Sequence, residues 1–77
     1  MVSVYQLAHD PNTPPKVLIA LSKDNDVYVR RGVAKNPNTP PETLIALSKD
    51  EYYGVREAAM NNPNCPIELK VEYILSA

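Results

Sequence analysis

The sequence predicts an all-α fold, a short α-solenoid of tandem 26-residue, two-helix repeats. Residues 11–24, PNTPPKVLIALSKD, recur almost unchanged as residues 37–50, PNTPPETLIALSKD. The prolines keep the same spacing and fall in three groups: Pro11, Pro14 and Pro15, then Pro37, Pro40 and Pro41, then Pro63 and Pro66. No stretch alternates apolar and polar residues over the length of a strand, so we expect no β-sheet. A fixed period of this length is typical of arrays whose units are stable only against their neighbours.

The repeat boundaries follow from an ungapped alignment of the chain with itself. Residues 10–35 and 36–61 share 14 identities in that alignment. The third copy keeps mainly the beginning of the repeat, and the residues at 5–12 match the end of one. We therefore expect a single repeat domain over 1–77, made of a half repeat 1–9, repeats 10–35 and 36–61, and a half repeat 62–77.

The first half of each repeat predicts an amphipathic helix, which we call the A helix, over roughly 14–23, 40–49 and 66–76. Thr39 is expected to cap the second A helix, with Glu42 completing a capping box and Pro40 in the first turn. Thr13 occupies the same position in the preceding repeat, and Cys65 occupies it in the last one. Cys65 is therefore interpreted as a diverged cap position.

The second half predicts a shorter B helix over about 27–35, about 53–61 and 2–9. In VYVRRGVAK, helical spacing places Val29, Gly32 and Val33 on one side and directs Arg31 and Lys35 outward. The proline that follows pushes the preceding asparagine out of the α region and ends the helix. The asparagines on both sides of that proline are expected to bond the local backbone in a turn.

The segment NPNTPPETLIALSKD followed by VREAAM resembles the leucine-rich repeat variant family. The resemblance rests on an asparagine–proline turn, a double-proline helix start, spaced leucines and a Val–Arg pair: Asn36, Pro37, Thr39, Pro40, Pro41, Leu44, Leu47, Val55 and Arg56. It implies alternating α and 3₁₀ helices in a right-handed superhelix without strands. The period of 26 is longer than is usual in that family, so the B segments are either short α-helices or 3₁₀ helices. The cysteine-rich iron–sulfur region of that family's founding member has no counterpart here, and no cofactor is expected.

Composition argues against several classes of function. The formal net charge is −1, which makes nucleic-acid binding unlikely. One cysteine and one histidine, His9, argue against a disulfide and against a metal site. No run is long and apolar enough to span a membrane, and the N-terminus does not read as a signal peptide, so we expect a cytoplasmic location. Gly-rich loops and convergent acidic residues are absent from the sequence pattern, so no enzyme is predicted.

The predicted function is a non-enzymatic protein-interaction or scaffold module, and the alternative is a nucleic-acid-binding helical repeat. The candidate partner-binding residues are five that recur between repeats, Ile19, Ile45, Val71, Arg30 and Arg56, and two tyrosines near the starts of the B helices, Tyr28 and Tyr53. Each group has a structural alternative. The aliphatic residues could pack between A helices, the arginines could pair with recurring aspartates, and the tyrosines could cover the core ends. The apolar run Tyr73, Ile74 and Leu75 at the end of the last helix also predicts an end-to-end or face-to-face homodimer.

Overall fold

Residues 1–76 fold into six α-helices, which confirms the predicted all-α class. The structure is a computed structural model that describes the backbone of residues 1–76 and the side chains of all of these except 72–74 and 76. The predictions for Tyr73 and Ile74 therefore lie outside the described side chains. The helices are α1 (Val4–His9), α2 (Pro15–Leu21), α3 (Val27–Lys35), α4 (Pro41–Leu47), α5 (Tyr53–Asn61) and α6 (Ile67–Ser76). No strand is present in residues 1–76.

The B helices α1, α3 and α5 pack on one another in sequence order and form the spine of the molecule. All three are α-helical, which decides between the two forms that the sequence left open. Of the A helices, α2 lies against α1 and α3, and α4 lies against α3 and α5. The array is elongated, with extents of 43 × 20 × 14 Å. The right-handed sense of its superhelix stays a prediction.

The core runs along the array and has no single centre. Four of its five largest fully buried apolar side chains recur once per repeat: Leu18 and Leu44 from the A helices, and Val29 and Val55 from the B helices. The fifth is Val33, which aligns with Ala59. Gly32 allows α3 to approach α1 closely, since a Cβ on it would lie only 2.7 Å from Nε2 of His9. Each repeat thus buries its apolar side against the next one, as expected of stacked modules.

The starts of the A helices differ from the prediction. The N-cap of α4 is Pro40 and not Thr39, and Pro41 is its first helical residue. No side chain caps α4, so the predicted capping box of Thr39 and Glu42 is wrong. The hydroxyl of Thr39 instead donates a hydrogen bond of 2.6 Å to the carbonyl of Val33, at the end of the preceding B helix.

Thr13 makes the same bond one repeat earlier, with its Oγ1 2.7 Å from the carbonyl of Leu7. Both threonines are buried, and each hydroxyl gives a second hydrogen bond to a carbonyl that already accepts the backbone N–H of the residue ending the B helix, Asp10 or Asn36. Cys65 stands at the third such position and is also buried, but its thiol is only a weak donor. This position of the repeat therefore stabilises the end of the preceding B helix and does not cap the following A helix.

Replacing Cys65 with threonine is expected to stabilise the protein by about 1 kcal/mol, because the new hydroxyl can donate to the carbonyl of Ala59. Ala59 stands six residues before Cys65, as Val33 stands before Thr39. The measurement is the free energy of unfolding from urea denaturation. Cys65→Val is the matched control, since it has the shape of threonine without the donor. Equal stabilisation by both variants would contradict the assignment.

The asparagine that ends each B helix joins neighbouring repeats. Nδ2 of Asn36 donates to the carbonyls of Ala8 and Asp10, at 2.9 and 2.8 Å. Nδ2 of Asn62 donates to the carbonyls of Ala34 and Asn36, both at 2.9 Å. We call this series of amide bonds the asparagine ladder.

The same two asparagines also form the predicted local turns. Oδ1 of Asn36 accepts the backbone N–H of Asn38, and Oδ1 of Asn62 accepts that of Asn64, each at 2.9 Å. Both Asn36 and Asn62 are buried, with every side-chain polar atom bonded. Each side chain therefore holds a turn with its oxygen and the preceding repeat with its nitrogen.

Candidate protein-interaction surface

The candidate residues predicted from the repeat pattern fall into buried and exposed groups. Arg30 is buried, with 9% of its surface accessible, and Arg56 is half-buried. Tyr28 and Tyr53 are exposed on α3 and α5. In the aliphatic column, Ile19 and Val71 are exposed and Ile45 is half-buried. Recurrence in the sequence therefore does not distinguish a buried position from an exposed one.

Arg30 links two neighbouring repeats through an ion pair with an aspartate, which was the alternative interpretation of the recurring arginines. Its Nε and Nη2 donate to the carboxylate of Asp50 in the next repeat, at 2.8 and 3.3 Å. Its Nη1 donates to the carbonyls of Asp24 and Asn25, which follow α2. The guanidinium also lies over the ring of Tyr52, 5.6 Å from its centroid.

The charges of this pair stabilise each other. Burial opposes the charged form of Asp50, but hydrogen bonds from Arg30 and from the N–H of Tyr52 outweigh it and hold the pKa of that carboxyl below its ordinary value. The hydrogen bond that Arg30 donates to Asp50 in turn raises the pKa of the Arg30 guanidinium. A guanidinium engaged in this way is not available to a partner.

Arg56 occupies the corresponding position one repeat later. Its Nη1 donates to the carbonyl of Asp50 at 2.8 Å, and its guanidinium lies 5.7 Å from the ring centroid of Tyr53. The hydroxyl of Tyr53 donates to the carboxylate of Glu57, one turn along α5. Arg56 is thus fixed beside Asp50, while part of its side chain remains accessible.

A groove with a volume of about 310 Å³ lies between α3 and α5. Arg31 and Lys35 line one wall, one helical turn apart, and Gly54, Glu57 and Asn61 line the other. Neither Arg31 nor Lys35 forms an ion pair with a described side chain, whereas Glu57 is bonded by Tyr53.

Gly54 opens the groove because it stands where the preceding repeat has Tyr28. A Cβ built on Gly54 would meet nothing within 4 Å. Helical spacing in the sequence places Arg31 and Lys35 on the outer side of α3 but does not reveal the groove. The signal that could have revealed it is the exchange of tyrosine for glycine between aligned positions of the two repeats.

A second exposed surface lies on α6. Ile67, Val71 and Leu75 are exposed and spaced four residues apart, so they share one face of that helix. The neighbouring Cys65 is buried, and burial raises the pKa of its thiol although Lys70 partly lowers it. A thiol of this kind is inert, which fits a structural position.

Other kinds of site find little support in the residues that the structure describes. No group of three His, Cys, Asp or Glu side chains among them could hold a metal ion. Likewise, none of the helices, within the described range, has the length and hydropathy that crossing a membrane requires.

The stacked B helices, the asparagine ladder and the interrepeat ion pair define a helical repeat protein. A family model described as leucine rich repeat variant matches residues 29–51, from the middle of α3 to just past α4. The match supports, over these residues, the family that the sequence resembles. No curated protein and no solved structure matches the chain.

Proposed function

We propose that the protein is a non-enzymatic interaction module that binds an acidic segment of another protein in the groove between α3 and α5. The observation that carries this proposal is the basic pair Arg31 and Lys35, which borders the groove without an acidic partner among the described side chains. Leucine rich repeat variant arrays are helical repeat domains that often act in protein interaction, and the similarity of residues 29–51 to this family supports the general class.

The basic wall suits carboxylates in an extended segment. Arg31 and Lys35 are four residues apart on α3, so their side chains project from the same face. A guanidinium binds a carboxylate through two parallel hydrogen bonds, and an ammonium adds a second positive charge. Tyr28 lies three residues before Arg31 and offers an exposed ring beside them, of the kind that is enriched at protein interfaces.

The opposite wall carries one negative charge against the two positive charges. Glu57 is the acidic residue of that wall, and the hydroxyl of Tyr53 bonds its carboxylate. Gly54 leaves room at the start of α5 for a side chain of the bound segment. Asn61 supplies an exposed amide that can donate to or accept from a peptide backbone.

The remaining parts of the functional prediction stay proposals. A cytoplasmic location is supported by the one cysteine, a free and buried thiol.

The homodimer is proposed in its face-to-face form, through the exposed face of α6, and Val71→Glu is expected to abolish it in sedimentation equilibrium. Nucleic acid is the alternative ligand of the basic wall, and the binding test below distinguishes it.

The test is fluorescence anisotropy with a labelled peptide of eight glutamates. A peptide of eight lysines and an eight-nucleotide oligothymidine serve as probes of reversed charge and of nucleic acid. We expect the glutamate peptide to bind, and Arg31→Glu combined with Lys35→Glu to weaken binding at least about tenfold, since it reverses both charges of the wall. Gly54→Tyr is expected to weaken binding similarly by filling the groove as Tyr28 does one repeat earlier.

Two controls make the result specific. Lys16→Glu combined with Lys23→Glu makes the same change of charge at exposed positions away from the groove, and Gly54→Ala leaves the groove open. Equal losses from the Lys16 and Lys23 pair would show that only net charge matters and would contradict the proposal. Tighter binding of the oligothymidine than of the glutamate peptide would favour the nucleic-acid reading.

A further inference from the structure

We propose that Asp10 and Gln6 prevent this chain from stacking head to tail with a second copy of itself. A repeat array has two complementary ends, because every module is built to pack on the one before it. Contacts of this head-to-tail kind do not close and lead to open filaments. The first B helix departs from the repeat rules at the two positions that such a contact would use.

The first departure removes the donor on which the asparagine ladder depends. Asn36 and Asn62 each donate two hydrogen bonds to carbonyls of the preceding repeat. Asp10 holds the aligned position 26 residues before Asn36, and an ionised carboxylate can only accept. Its Oδ1 keeps the local turn by accepting the N–H of Asn12 at 2.9 Å.

A second copy docked in register would place its Asp10 against acceptors alone. By the spacing of the ladder, the carbonyls facing that side chain would be those of Met60 and Asn62 in the first copy. Three oxygen acceptors would then meet without a hydrogen, and the carboxylate would lose its contact with water. Burying an unpaired charge in this way is strongly unfavourable.

The second departure blocks close approach of the helices. Gly32 and Ala58 are the small residues at the position where a B helix meets the preceding one, and a Cβ on Gly32 would already lie 3.0 Å from that of Ala8. α1 has Gln6 at this position. The Oε1 atom of Gln6 accepts the N–H of Ser3 at 2.9 Å in the capping box of α1, which holds this long side chain in place.

Both departures disfavour self-association at a surface that would otherwise be complementary to α5. They act through a repulsive charge and through bulk, the two means by which proteins reject wrong partners. Asp10 is exposed, so its charge is solvated in the separate chain and is costly only in the docked state.

The test compares wild type, Asp10→Asn and Asp10→Ala by sedimentation equilibrium up to millimolar concentration, with Val71→Glu added to all three so that the α6 dimer proposed above does not form. Asp10→Asn keeps the oxygen that forms the turn and adds the two donors, whereas Asp10→Ala only removes the charge. We expect Asp10→Asn to self-associate at least about tenfold more tightly than Asp10→Ala, because two additional hydrogen bonds form. Adding Gln6→Ala to Asp10→Asn is expected to tighten the association further.

A mixing experiment tests the direction of the contact. At its α5 end, wild type has the carbonyls that accept the ladder bonds, but at its α1 end it has no asparagine to donate them. It can therefore end an oligomer but not extend it, so adding it to Asp10→Asn is expected to lower the average mass of the oligomers. Circular dichroism confirms that each variant is folded. Equal association of Asp10→Asn and Asp10→Ala, or oligomers that wild type does not shorten, would overturn the proposal.

Discussion

Asn36→Asp is expected to lower the free energy of unfolding by about 3–5 kcal/mol at neutral pH. The buried amide of Asn36 donates to the carbonyls of Ala8 and Asp10, and a carboxylate would face these oxygens without a hydrogen. A chain of this size has a total stability of only about 4–12 kcal/mol. The variant should therefore lose a large fraction of its stability, as measured by circular dichroism and urea titration.

The pH dependence of this variant identifies the cause. Folding disfavours the charged form of the introduced carboxyl, so its pKa is higher in the folded than in the unfolded state. Stability is then present below the ordinary pKa of aspartate, about 4, and is lost as pH rises through the raised value. Asn12→Asp is the matched control at an exposed position, and we expect it to change stability by less than about 0.5 kcal/mol. Equal destabilisation by both substitutions would refute the importance of the ladder.

Asp50→Asn is expected to destabilise the protein by about 3 kcal/mol, because it leaves the buried guanidinium of Arg30 without its counter-charge. The substitution keeps Oδ1, which accepts the N–H of Tyr52, but it replaces Oδ2, the acceptor for Nε of Arg30, with an amide donor. Asp24→Asn is the control one repeat earlier. Asp24 accepts the N–H of Asp26 at 2.8 Å, but Val4 stands at the position aligned with Arg30. Urea denaturation should show a small effect of the control.

This ion pair also predicts an acid dependence with the opposite sign. The pKa of Asp50 is lower in the folded protein than its ordinary value. The stability that it contributes is therefore full above the ordinary pKa of aspartate, about 4, and is lost as pH falls through the lower folded value. The difference in unfolding free energy between wild type and Asp50→Asn should shrink as the pH is lowered below 4. A difference that stays constant from pH 7 to pH 2 would contradict the assignment.

The periodic part of the fold could be predicted from the sequence because its causes are local. The helix-ending asparagine–proline pair, the double proline and the spaced leucines each act within one or two turns. They place the six helices within a few residues of the bounds observed. Thr39 shows where local reasoning fails: its hydroxyl reaches the carbonyl of Val33 before it and leaves α4 uncapped.

The interrepeat bonds could not be predicted because their partners are far apart in the chain. Asn36 reaches Ala8, which is 28 residues away, and Arg30 reaches Asp50, which is 20 residues away. The sequence analysis assigned the asparagines to local turns, which describes their oxygens but not their nitrogens. Only the packing of one repeat on the next determines which carbonyls lie within reach of Nδ2.

The candidate surface was predicted only in part, for a related reason. Recurring residues include those that the stack itself requires, so Arg30 recurs with Arg56 and yet is buried. The groove instead arises where the repeats differ, at Gly54, and beside Arg31 and Lys35, which do not recur. In a tandem array, binding surfaces are better sought at positions where aligned repeats diverge.

The claim that side-chain amides join neighbouring repeats is tested most directly by an NMR measurement on the asparagine side chains of the wild-type protein. The account predicts slowly exchanging Nδ2 protons for Asn36 and Asn62, with nuclear Overhauser contacts to residues 8–10 and 34–36 respectively. The side chain of Asn12, which is exposed, should exchange rapidly. Equally rapid exchange at all three residues, without contacts between repeats, would contradict the account.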